Sequence, residues 1–176
     1  MKPKRYVKGV ENPEVCAVCE KPCCEHMPGV CIPADFGTPN LPKLFDALES
    51  GKYAIDWWEG NPMPMAEQDD ESRLREAHKQ GYFVRPATKK EVGNVFDPSW
   101  GGECVFLTEK GCELPLKKRP AQCRVIVPVG GKCEPSIGFN KQEVAQSWWP
   151  YRGKVERKGN RVMRRREQRL AATQIR

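Results

Sequence analysis

The apolar positions of the chain fall into short periodic runs separated by breakers. Between Asn40 and Gly51, Leu41, Leu44, Phe45 and Leu48 recur at the spacing of one helix face. Asn40 offers an N-cap oxygen, Pro42 suits a first turn, and Gly51 suits the left-handed position after the last turn. The pattern predicts a helix over 40–51 whose four apolar residues pack on the body.

From Lys52 to Trp58 the period drops to two. Tyr53, Ile55 and Trp57 share one face and Lys52, Ala54, Asp56 and Trp58 the other, which predicts a strand with one tryptophan in the core and one at the rim. Asn61-Pro-Met-Pro64 reads as a turn, 65–80 as a polar surface helix carrying a solvated His78, and Tyr82–Arg85 as a second strand paired with the first. A turn cluster over 97–102 follows. Cys104–Leu107 predicts a short strand feeding a turn at 109–111. Residues 123–127 suit a short strand or a helical turn, and 141–149 a helix broken at Pro150. Residues 154–172 are helix-compatible with a thin apolar stripe of Val155, Val162, Met163 and Leu170.

These elements are short, and 15 Gly and 16 Pro leave many loops between them. Hydrophobic residues make up 39% of the 176, a modest core for a domain of this size, and such chains need a further constraint such as metal or disulfides. The expected fold class is α+β: a small, loop-rich, metal-stabilised single domain with short strands and a few helices. It divides into a body over 1–150 and a basic helix or tail over 151–176. That last segment holds ten of the 30 basic residues and two of the 23 acidic ones, so the net charge of +7 resides there and the body is near neutral. The first ten residues are basic without the apolar core of a secretory signal, and no apolar run is long enough to span a membrane. The expected location is cytoplasmic, with no membrane partner.

In a reducing compartment, clustered cysteines point to metal rather than disulfides. Five of the nine lie between Cys16 and Cys31, spaced C-x2-C-x3-C-C-x6-C; Cys104, Cys112, Cys123 and Cys133 form a second group. Thiolates are soft donors that select zinc, iron–sulfur clusters or Cu(I). The adjacent side chains of Cys23 and Cys24 converge poorly on one ion, so they serve different ions, or one of them binds none. Two four-thiolate sites with one sulfur spare, or one iron–sulfur cluster with several spare, satisfy the count. His26 lies in the first group as an exposed loop residue or an outer donor. No Ser/His/Asp set, Walker loop, His-Glu-x-x-His or Gly-x-Gly-x-x-Gly occurs, so no catalytic residue is assigned.

Cys16-x2-Cys19-x3-Cys23-Cys24, together with Cys104-Val-Phe-Leu107, Cys112, Arg119-Pro120-x2-Cys123-Arg124 and Cys133, resembles the YkgJ-like cysteine-cluster family. That family is described as a zinc- or iron-chelating domain of the CxxCxxCC type, with a branch of flagellin lysine N-methylases. The second half matches more closely. The first has three residues before the vicinal pair where the family has two, and Cys31 falls where the family more often has an aliphatic side chain. The resemblance implies metal ligands at Cys16, Cys19, Cys23, Cys24, Cys104, Cys112, Cys123 and Cys133, with Cys31 a spare thiol or a further ligand. It implies that Arg119 and Arg124 offset thiolate charge around the metal. Zn2+ is the first expectation, an iron–sulfur cluster or iron the alternative.

Three functions follow. The first is a mainly structural metal-binding module. The second is an iron–sulfur enzyme like the methylase branch. The third is an adaptor that holds nucleic acid, or an acidic protein surface, through Arg161, Arg164, Arg165, Arg166 and Arg169 in the segment 151–176.

Overall fold

The computed structural model describes residues 22–63, 81–97, 99, 101–129, 132–135 and 140–174. The polar helix expected over 65–80, with His78, lies outside them. The elements are α1 (Pro22–Glu25), α2 (Pro42–Glu49), β1 (Tyr53–Trp58), β2 (Gly81–Pro86), β3 (Leu107–Thr108), β4 (Gly111–Cys112), α3 (Ala121–Val125), β5 (Ile126–Val129), β6 (Lys132–Pro135), α4 (Lys141–Trp148) and α5 (Arg152–Gln174). The strands form three two-stranded antiparallel sheets, β1–β2, β3–β4 and β5–β6. The chain is therefore α+β. Among the described residues no helix is long and apolar enough to cross a membrane.

The Leu-rich face of α2 packs inward as its spacing predicts, with Leu41, Leu44 and Leu48 fully buried and Phe45 partly so. Gly51 takes the left-handed conformation at φ 74°. The N-terminal flank differs from expectation: the residue there is Leu41, itself left-handed at φ 52°, and no side chain caps it. Leu41 N–H donates to the Gly37 carbonyl at 2.6 Å, a tight entry that drives the leucine into the core. Asn40 Oδ1 instead faces Lys154 Nζ at 3.4 Å.

The β1 and β2 strands pair from Tyr53 opposite Pro86 to Trp58 opposite Gly81. Strict alternation fails along β1 because Ala54, Ile55 and Asp56 are all buried. Asp56 is covered by its charge partner: Arg85 is 2% exposed and its Nε donates to Asp56 Oδ2 at 2.6 Å. The Arg85 Nη2 group also reaches Asp97 Oδ2 and the Asp97 carbonyl, both at 3.0 Å. Burial pushes the Asp56 carboxyl above the ordinary aspartate range, against the pull of Arg85. Trp57 is 48% exposed and Trp58 half-buried, so neither is the core tryptophan. That residue is Trp148, fully buried at the end of α4 with its ring 5.9 Å from that of Phe36.

The strand expected over Cys104–Leu107 is shorter than the sequence suggests, whereas the segment around Cys123 takes the helical turn that was one of its two expected forms. Cys104 makes an isolated bridge to Thr88, and only Leu107–Thr108 pairs, with Gly111–Cys112. Residues 121–125 form a helical turn before the β5 strand starts at Ile126. The expected α4 helix is capped by Asn140, whose Oδ1 accepts from Gln142 N–H at 2.9 Å.

The basic α5 helix lies on the body. Val155 and Val162 are fully buried in the same core as Leu44, Leu48 and Ile55, while Met163 and Leu170 of the expected stripe are exposed. Between the two valines, Gly159 lets the helix backbone touch β1: a Cβ there would lie 2.7 Å from Ile55 Cδ1 and 2.8 Å from Phe96 Cζ. Arg166 donates to the Leu48 carbonyl at 2.6 Å, to the Glu49 carbonyl at 3.1 Å and to the Gly93 carbonyl. A guanidinium thus caps the negative end of α2.

Two substitutions test this packing. Gly159→Ala gains about 1 kcal/mol of helix propensity but forces a methyl into a filled contact, at a cost of roughly 1–3 kcal/mol; urea unfolding should show net destabilisation. Arg85→Ala strands two buried aspartates and should cost about 3–5 kcal/mol in the same measurement.

Candidate metal centre

The two cysteine-rich segments meet. Cys104 N–H donates to the Cys24 carbonyl at 2.7 Å and Gly102 N–H to the His26 carbonyl at 2.8 Å. Gly101, at φ 124°, backs so closely onto the His26 carbonyl that a Cβ there would collide with it. Four residues on, Val30 N–H donates to Gln122 Oε1 at 2.9 Å and Gln122 N–H returns to the Val30 carbonyl at 3.1 Å. Residues 24–31 are thereby laced to 102–104 on one side and to α3 on the other.

Cys24 and Cys112 are half-buried and pack on a small cluster of Cys104, Phe106 and Leu107. Cys112 reaches it because β4 pairs it with Leu107. Cys123 lies on α3 with its Sγ against Gly29, so close that any Cβ at 29 would overlap the sulfur. Cys31, 1% exposed, belongs to the main apolar core. Burial first, then the neighbouring Asp35, Cys123 and Cys104, push its thiol well above the ordinary range, and Arg124 pulls against them. Cys31 and Cys112 are free thiols. Cys16 and Cys19 lie outside the described residues. So do the side chains of Cys23, on α1, and of Cys133, whose backbone in β6 pairs opposite Pro128.

Three residues that the sequence pattern leaves unmarked complete the neighbourhood. Asp35 Oδ2 accepts from Ile32 N–H at 3.0 Å and from Ala121 N–H at 3.2 Å, while its Oδ1 lies 2.6 Å from Arg124 Nη2. It holds Arg124 beside Cys31 and Cys123. Tyr53 packs edge-on to Phe36 and against Phe106 at centroid distances of 5.8 and 5.5 Å. Burial raises its phenol well above the usual range, and Cys31, Asp35, Cys104 and Cys112 raise it further, so it stays protonated. Gln122 is the third, as the clasp on Val30. A Pro-x-Asp start to a turn is the one local sign of Asp35; nothing periodic marks Tyr53 as a neighbour of sulfur. Arg124 Nη2 is paired with Asp35 on the Cys31 side of α3. Arg119 donates from Nε to the Leu114 carbonyl at 2.8 Å, bracing the loop ahead of α3. His26 is exposed, as a loop histidine.

The donors fit a soft ion in kind: sulfurs of the early segment lie with sulfurs of the late one, beside a guanidinium. They do not complete a site by themselves. Among the described residues no three His, Cys, Asp or Glu side chains are grouped to hold a metal, so a full ligand set needs sulfur from Cys16, Cys19, Cys23 or Cys133.

The Gly29–Cys123 contact is directly testable. Gly29→Ala should move the Cys123 sulfur and cost roughly 1–3 kcal/mol, whereas the same change in a Cys123→Ala background should cost much less. A double-mutant cycle by urea unfolding with no coupling between the two sites would show that the sulfur does not sit there. No family model matches this chain, and neither a curated protein nor a solved structure does.

Proposed function

We propose that the protein is a metal-binding module whose two cysteine-rich segments converge on one or two closed thiolate sites. Cys24, Cys104, Cys112 and Cys123 supply sulfur together with Cys16, Cys19, Cys23 and Cys133. Zinc is the ion that closed thiolate sites most often hold in a structural role. Its binding free energy then adds to the folding free energy of a loop-rich body. Arg124, held by Asp35, offsets thiolate charge. Cys31 is the spare thiol. It sits in an apolar core where ionisation is disfavoured, which suits a packing residue better than a ligand. Cysteines kept as metal ligands rather than paired in disulfides suit a reducing compartment such as the cytoplasm.

The observation that carries this reading is the backbone bond from Cys104 to Cys24, which brings thiols 80 residues apart to one cluster with Cys112. Buried thiols packed as small hydrophobes would account for Cys31 and Cys104. They account less well for the half-buried Cys24 and Cys112, which gather on Cys104 from distant parts of the chain.

Elemental analysis of anaerobically purified protein tests it. The expected result is one or two equivalents of zinc, reduced in Cys24→Ser and Cys104→Ser and retained in Cys31→Ala. A brown protein with broad visible absorption carries an iron–sulfur cluster instead and revives the enzymatic reading. Metal-free protein that melts unchanged after exposure to chelator, or native disulfides among the nine cysteines, overturns the proposal.

A further inference from the structure

The docking of α5 sorts its charges. Val155, Gly159, Val162 and Arg166 face the body, three or four residues apart. At 3.6 residues per turn, Arg157, Lys158, Arg161, Arg164, Arg165 and Arg169 then fall on one flank. Glu156 and Glu167, the two acids of the helix, fall on the other with the exposed Met163 and Leu170. Apart from Arg166, which faces the body, the arginines of 157–169 cover one side of the helix. From residue 157 to 169 the basic flank runs about 18 Å at the rise of an α-helix.

The flank is shaped as well as charged. Arg161, Arg164, Arg165 and Gln168 line an open hollow of about 460 Å³. Two of these guanidiniums are braced from below by α2: Arg161 lies 5.1 Å and Arg165 5.9 Å from the Phe45 ring centroid. Glu49 lies 2.7 Å from Arg169 Nη1 and 3.8 Å from Arg165 Nε, close as a charge but off the line of a hydrogen bond. It offsets one of the six cations and helps fix the others in direction.

We propose that this flank of α5 binds the phosphate backbone of a nucleic acid without reading its sequence. About 18 Å of helix matches roughly five phosphates of one strand at the spacing of about 3.4 Å per charge. Planar guanidinium forks match phosphate oxygens in pairs, which lysine cannot do. An acidic protein partner would want an apolar anchor among the charges, and a membrane surface would want the apolar residues on the face opposite the cations, free to insert. Met163 and Leu170 do lie opposite the centre of the basic flank, but they are only two and Glu156 and Glu167 stand beside them, so that face carries carboxylates where an anionic membrane would need a continuous apolar surface.

The test is fluorescence anisotropy of the full chain with labelled 20-nucleotide random-sequence duplex DNA, duplex RNA and single-stranded DNA across salt concentrations. Binding should weaken with salt with a log–log slope of about −3.5 to −4.5, as expected for about five phosphate contacts. Arg161→Gln and Arg164→Gln should each lower that slope by about one and weaken binding several-fold at 0.1 M salt. Met163→Gln, on the other side of the helix, should bind as the parent. Arg164 is exposed, so its variant should keep the parent's melting curve. The ranking of the three nucleic acids identifies which backbone fits the flank. A flat salt dependence, parental binding by both arginine variants, or tight binding to polyaspartate or to anionic vesicles without binding to any of the nucleic acids overturns the proposal.

Discussion

Two consecutive residues, Val30 and Cys31, hold the molecule together through their backbone. Gln122 takes both polar groups of Val30. Cys31 N–H donates to the Val84 carbonyl at 2.8 Å, and the Cys31 carbonyl accepts from Trp148 Nε1–H at 2.8 Å. Both side chains are almost completely buried, so each of these four groups must find a protein partner or lose roughly 1–3 kcal/mol. The partners come from α3, β2 and α4. One dipeptide therefore ties the first cysteine segment to the sheet, to the second cysteine segment and to the helix that leads into α5.

That arrangement separates two kinds of sulfur. Cys31 is held by its main chain and buried among leucines and aromatics, with its thiol pushed towards the neutral form. Cys24 and Cys112, both half-buried, pack on the separate buried cluster of Cys104, Phe106 and Leu107. Cys123 stands between the two environments, seated on Gly29 and beside the Arg124–Asp35 pair. The proximity of early and late thiols is set by backbone hydrogen bonds and a glycine contact. It does not need the sulfurs to hold one another.

Elements governed by local periodicity were legible in the sequence: the Leu face of α2 with its Gly51 exit, the β1 and β2 strands, the α4 helix, and a helix through the basic segment. What escaped was pairing at a distance. Asp56 alternates like a solvent-facing residue, and only the arrival of Arg85 from the neighbouring strand explains its burial. Val155 and Val162 form a buried stripe, whereas Met163 and Leu170 turn off the docked face to the exposed side of the helix. Asn40 is a good cap by residue type, yet the turn that seats Leu41 in the core moves it away from the helix end. Of the thiol neighbourhood, the cysteines and Arg124 stand out in the sequence, whereas Asp35, Tyr53 and Gln122 act only through the fold.

The guanidinium of Arg166 bonds to carbonyls of Leu48, Glu49 and Gly93, and the valines ahead of it close the core over β1. This has an implication for synthesis on the ribosome. The nascent chain makes the α2 helix and the β1 strand early, but neither can bury its remaining apolar side until residue 166 has cleared the exit tunnel. The intervening hundred residues must wait in a partly collapsed form. Final closure is thus a late event, driven by a segment that is itself too polar to collapse alone.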